Sequence, residues 1–121
     1  MVTEGGEMQK RGAWGEGQAC LFLERQGFCV LSRNFHTTSG EIDIVAEKGG
    51  DYYFIEVKTR RAGDMATDLA VTSTKLRRFR KAVLTYCYRH TIAEGSFIIA
   101  SLMVVVDPTT KQVSFRLAAI Y

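Results

Sequence analysis

The sequence predicts an α/β layered domain, and three features carry that expectation. Two β-prone runs, Ile42 to Glu47 and Tyr52 to Lys58, are split by Gly49-Gly50, which is a strong hairpin signal. Two Pro-free segments, about Met8 to Gln26 and Ser73 to Thr91, have helical apolar spacing. The run FIIASLMVVV from Phe97 to Val106 is almost wholly apolar and rich in β-branched residues, as a strand buried on both faces would be.

In chain order the first helix presents Glu16, Ala19, Cys20 and Leu23 on one face and is stopped by Gly27. A carboxylate therefore sits on an apolar stripe. Phe28 to Phe35 reads as the first strand, followed by the hairpin. Arg60 to Thr72 reads as a loop. The second helix carries Leu76, Phe79, Val83, Tyr86, Cys87 and His90 on its apolar side and Thr74, Arg77, Arg78 and Lys81 on the other. Asp107-Pro108 ends the apolar strand, and a last strand runs from about Gln112 to Leu117. The order α-β-β-β-α-β-β calls for a central mixed β-sheet flanked by helices.

With 121 residues, 46% of them hydrophobic, one domain spanning 1–121 is expected, its residues 1–8 flexible. Neither an apolar N-terminal stretch nor a run near the ~20 residues of a membrane span is present, which predicts a cytoplasmic protein without membrane contact. Cys20, Cys29 and Cys87 lack any Cys-x-x-Cys spacing and read as buried free thiols. His36 and His90 lack a metal-ligand spacing and suit packing or surface roles. Between Lys58 and His90 nine basic residues face two acidic ones, a local charge of +7 in a chain of net +3, which leaves −4 elsewhere. Such polarity suits either a solvated helix or a grip on a polyanion beside a metal held by acids.

If Gly49 and Gly50 are the central turn residues, directly opposed residues have numbers adding to 99, and Asp43 faces Glu56. Lys58 then shares the side of Glu56, and its own opposite number is Glu41. Two acids on such apolar strands either face solvent or, if crowded and part-buried, call for an offsetting cation, for which hard carboxylate oxygens suit Mg²⁺ or Mn²⁺. Lys58 could orient a water beside such an ion or simply pair with Glu41.

The segment GEIDIVAEKGGDYYFIEVKTRR resembles the PD-(D/E)xK nuclease motif, as Asp43 followed by Glu56-Val57-Lys58. With RGAWGE at Arg11 to Glu16, RNF at Arg33 to Phe35 and SGEIDIVA at Ser39 to Ala46, the chain resembles the YraN-type family of small bacterial proteins. The resemblance implies a restriction-endonuclease-like three-layer fold, related in pattern to archaeal Holliday-junction resolvases. It implies a catalytic set of Asp43, Glu56, Lys58 and Glu16, with a metal held by Asp43, Glu56, the Val57 main-chain carbonyl and Glu16. Glu41 would support them or pair with Lys58. Arg60, Arg61, Lys75, Arg77, Arg78 and Lys81 would contact phosphates, which predicts weak sequence preference.

The chain departs from the family pattern at 64–71 and 96–98. The function expected is metal-dependent hydrolysis of phosphodiester bonds in DNA, with branched or junction DNA as one substrate class and a homodimer as one assembly. The alternative is a catalytically silent nucleic-acid-binding or adaptor module on the same fold. A partner surface at Trp14 or the apolar strand is a third reading, which burial in a core explains more simply.

Overall fold

The structure is a computed structural model that describes residues 4–63, 73–93 and 97–120, with side chains from Gly12 onward. Its elements are α1 (Glu4–Arg25), β1 (Cys29–His36), β2 (Glu41–Lys48), β3 (Asp51–Arg61), α2 (Ser73–Arg89), β4 (Phe97–Val106) and β5 (Val113–Ala119). The expected order is therefore found, in one five-stranded mixed sheet ordered β1-β2-β3-β4-β5. Only β3 and β4 run parallel, because α2 carries the chain across between them. The other neighbours are antiparallel.

Helix α1 begins at Glu4 rather than near Met8. It ends in the expected way: Gly27, at φ +91°, lets its amide reach Glu24 and the Phe28 amide reach the Leu23 carbonyl. The hairpin turns on Gly49 and Gly50, at φ +62° and +87°, a conformation that glycine adopts without steric cost. Strand β3 runs on to Arg61, so Arg60 and Arg61 belong to the sheet and not to the expected loop. The extension follows from β4, which pairs with β3 all the way to Arg61↔Val106. The expected loop at 64–72, and the departures from the family pattern at 64–71 and Ser96, lie outside the described residues.

Each face of the sheet has its own core. Ala19, Cys20 and Leu23 of α1 pack on Ile44, Ala46, Ile55, Ala100, Leu102 and Val104. Ala82, Val83, Tyr86 and Cys87 of α2 pack on Ile42, Val45, Phe54 and Ile99. Strand β4 supplies both clusters, which is why its sequence is apolar at almost every position. Cys20 and Cys87 are buried as expected, but Cys29 is exposed because it opens the edge strand β1. His90 is exposed too, its ring stacked on Tyr86 at 3.8 Å. Among the described residues no helix is long and apolar enough to cross a membrane.

Candidate metal centre

The site begins with a fault in the alternation of β2. Ala46 and Ile44 face α1 and Val45 faces α2, yet Ile42, two residues before Ile44, also faces α2. In an unbroken strand residues two apart share a side, so the phase changes at Asp43. On the neighbouring strand the partners of Ile44 and Ile42 are Arg33 and Phe35, and Asn34 between them has φ +53°. Asn is one of the few residue types that tolerate that region. The Asn34 and Asp43 positions together turn the ribbon.

The hairpin keeps the expected register from Lys48↔Asp51 to Ile44↔Ile55 and then stops. The directly opposed Asp43–Glu56 pair is therefore not formed, because β2 swings away one residue too early. Asp43 instead turns its carboxylate into the gap, where Oδ2 accepts the Val57 amide proton at 2.8 Å. The N–H and C=O of one residue in a strand point to the same side, so the Val57 carbonyl faces this gap as well.

Glu16, Glu41, Asp43, Glu56 and Val57 line one opening of about 390 Å³, together with Gly12 and Thr59. Glu16 comes from α1. Glu56 and Lys58 leave β3 on the side of Tyr52 and Phe54, toward α2, so the acids converge from both faces where β2 and β3 part. Burial pushes the Asp43 carboxyl up to about 6, against the pull of the Val57 amide, and Glu16, Glu41 and Glu56 push the same way. A half-buried carboxyl among three others is a place where positive charge is favoured.

Helix α1 can deliver Glu16 because Gly15 lies directly on β3. A Cβ on Gly15 would overlap the Thr59 hydroxyl and stand 3.3 Å from the Thr59 Cβ. Gly40 plays the matching part for α2, since a Cβ there would meet the Arg78 carbonyl oxygen at 3.1 Å. Two glycines thus set how closely each helix approaches the strand ends that bear the acids.

Lys58 lies 3.7 Å from Glu56 Oε1 and does not line the acid opening. The expected alternative, Lys58 with Glu41, is not found: with the hairpin register ended, Glu41 pairs with His36 at 3.0 Å. Of the expected phosphate contacts, Lys75 and Arg78 line a cavity of about 170 Å³ on the α2 side, where Glu41 and Glu56 reappear. Lys81 joins Arg78 in an adjoining opening beside the Thr37–Gly40 turn. Arg77 is exposed on α2 and lines neither. Arg60 and Arg61 lie on the other side of Thr59, with Trp14.

The donor set fits a hard divalent ion. Mg²⁺ is commonly held by one or two carboxylates and completes its shell with water and phosphate oxygens, so an open, acid-lined gap is the right kind of place. Among the described residues no three acids or other metal-ligating side chains are drawn together closely enough to cage an ion as they stand. Asp43, Glu56 and the Val57 carbonyl would therefore supply a partial shell, with Glu16 next to it.

Residues 15–119 match the model of the uncharacterised protein family UPF0102. The chain belongs to UPF0102. It is 40% identical over 96 residues to a UPF0102 protein of Syntrophomonas wolfei, covering 77% of this chain and 84% of that one. A UPF0102 protein of Corynebacterium efficiens is 37% identical over 105 residues, covering 86% and 84% of the two chains. Among solved structures, an XisH family protein from Nostoc punctiforme is similar over 88% of this chain and 98% of its own, with 12% identity and a TM-score of 0.40.

In this UPF0102 chain the sequence pattern pointed to Glu16, Asp43, Glu56 and Val57, and the fold brings all four to one opening. Gly12, Thr59 and the Gly15–Thr59 contact were missed. A glycine inside a helix costs about 1 kcal/mol relative to alanine, so Gly12 and Gly15 flanking Trp14 in RGAWGE were a usable sign of close approach.

Proposed function

We propose that this UPF0102 protein hydrolyses phosphodiester bonds in DNA with Mg²⁺ or Mn²⁺ bound by Asp43, Glu56 and the Val57 carbonyl. The observation that carries the reading is the convergence of Glu16, Asp43, Glu56 and Glu41 on one opening, with the Asp43 carboxyl raised to about 6. When bound, the ion would lower the pKa of the attacking water and offset charge that builds on the phosphate.

The chain's own residues do the positioning. Val57 fixes the Asp43 carboxylate through its amide, which leaves one Asp43 oxygen to the opening. Glu16 adds negative charge from the α1 side. Lys58 holds Glu56 at 3.7 Å, and its ammonium, which stands outside the lining of the opening, would orient the water from the Glu56 side. Lys75 and Arg78, on the rim shared with Glu56, suit the phosphates on either side of the scissile bond. Contacts of this kind give register without reading bases, so selectivity for branched or single-stranded shapes is expected over selectivity for sequence.

The test is cleavage of labelled single-stranded, duplex, flap and four-way DNA in Mg²⁺ or Mn²⁺. Activity that persists in Asp43→Ala and Glu56→Ala rejects the reading. A silent nucleic-acid-binding or adaptor role is the second reading, favoured by the absence of a preformed three-ligand cage among the described residues. It gives salt-dependent binding and no product.

A further inference from the structure

Beyond the acid opening and across Thr59 lies a second one, of about 260 Å³, built from different chemistry. Trp14, Arg60, Arg61, Pro108 and Lys111 line it, and Thr59 belongs to both openings. Trp14 is 42% exposed there. An indole normally buries most of its large apolar surface, and here it is left open beside three cationic side chains. Lys111 is held in place: Asp107 Oδ1 accepts the Thr109 and Thr110 amides at 2.8 and 3.2 Å, and the Lys111 amide reaches the Asp107 carbonyl at 2.8 Å. A partly exposed aromatic side chain sharing an opening with cations is a usual platform for a base of a single strand, with the cations on its backbone.

We propose that Trp14 stacks on an unpaired base of the nucleic-acid strand whose phosphodiester occupies the acid opening, with Arg60, Arg61 and Lys111 on the flanking phosphates. The inference rests on the nuclease reading and deepens it. Because Thr59 borders both openings, one strand can reach both over a short path. A base inside an intact duplex is already stacked and paired, so occupying the Trp14 face requires it to be splayed out. The substrate class is therefore a strand with unpaired bases: single-stranded DNA, or the single-stranded arm of a flap or fork. The alternative use of an exposed indole, contact between two copies of this chain, gives a signal that depends on protein concentration alone.

Trp14 is the sole tryptophan, so its emission reports on this place only. The full chain is titrated in EDTA with an oligothymidylate of about 12 nucleotides, with an abasic strand of the same length and with a blunt duplex. Emission and the anisotropy of labelled strands are read together. The expected result is quenching by oligothymidylate and little change with the abasic strand or the duplex. Trp14→Leu, which keeps apolar bulk without a ring, weakens oligothymidylate binding about tenfold or more and leaves abasic binding nearly unchanged, and Trp14→Phe restores most of the loss.

Unchanged emission at saturating oligothymidylate overturns the proposal, as does equal weakening of both strands by Trp14→Leu or an emission change set by protein concentration alone. The two readings fail separately. A strand that is bound and cut by wild type but not by Asp43→Ala, while emission stays constant, overturns stacking alone. A strand that quenches but is never cut in Mn²⁺ supports stacking and rejects the nuclease.

Discussion

The Asp43 carboxylate accepts a hydrogen bond from the Val57 amide at 2.8 Å, so a side chain of β2 occupies the place where its backbone would otherwise have paired with β3. The bond stands where the hairpin ladder ends, fixes the acid and lies beside the Val57 carbonyl, which faces the same gap. The consequences can be measured.

The first concerns stability without metal. The Asp43 carboxyl rises from 3.8 to about 6, mainly through burial. Between those values the folded protein holds a proton that the unfolded chain has released, so stability falls as pH rises through this window and the loss is complete above about pH 6. At roughly 1.4 kcal/mol per pKa unit the penalty reaches up to about 3 kcal/mol. Asp43→Asn keeps an acceptor for the Val57 amide and removes the charge. In EDTA at pH 7.5 it is expected to melt on the order of 10 °C higher than wild type, with the difference gone near pH 4. Thermal denaturation across pH reads this directly, and equal melting at both pH values contradicts it.

Metal binding should compete with that same proton. A ligand that must ionise near pH 6 loses about tenfold in apparent ion affinity for each unit below it. Mn²⁺ is expected to raise the melting temperature at pH 7.5, to do so far less at pH 5, and to have no effect on Asp43→Asn. A Mn²⁺ shift that is the same at both pH values places the ion elsewhere.

Gly15 and Gly17, two residues apart on α1, should respond oppositely to alanine. Nothing lies within 4 Å of a Cβ at Gly17, so Gly17→Ala gains helix propensity and stabilises by up to about 1 kcal/mol. At Gly15 the new methyl meets Thr59, and Gly15→Ala is expected to cost about 1–3 kcal/mol and to draw Glu16 off the site. Thr59→Ala in the same chain should recover part of the loss. Urea denaturation of the four proteins decides the matter. A stabilising Gly15→Ala contradicts the close approach.

Lys58→Met separates chemistry from folding. The Lys58–Glu56 pair is partly open to solvent, with 21% and 34% of the side chains exposed, so its loss changes stability by no more than about 1 kcal/mol. Cleavage should fall by about 100-fold or more while Mn²⁺ still stabilises the protein. Undiminished cleavage would leave Lys58 only a structural role beside Glu56.

The layered fold was legible because its signals are local. Gly49-Gly50 marks the turn, and the two-sided apolar pattern from Phe97 to Val106 marks a central strand. The end of the ladder was not legible, since it depends on the joint twist at Asn34 and Asp43, on two strands. For that reason Glu56 was rightly linked to Lys58 on one strand face, while Asp43 was wrongly set directly opposite it. The partner of Glu41 followed the same error, because the strand pair that seats it is β1–β2, through His36↔Glu41. Trp14 looked like core, and only the turn after β4 brings Pro108 and Lys111 around it.

The most direct test of the central claim is a Mn²⁺ titration of wild type and Glu56→Ala, with binding heat and DNA cleavage followed in the same samples. One ion bound per chain in wild type, cleavage rising with its occupancy, and both lost in Glu56→Ala is the result expected. Cleavage that persists in Glu56→Ala, or that rises in wild type without saturable ion binding, contradicts the account.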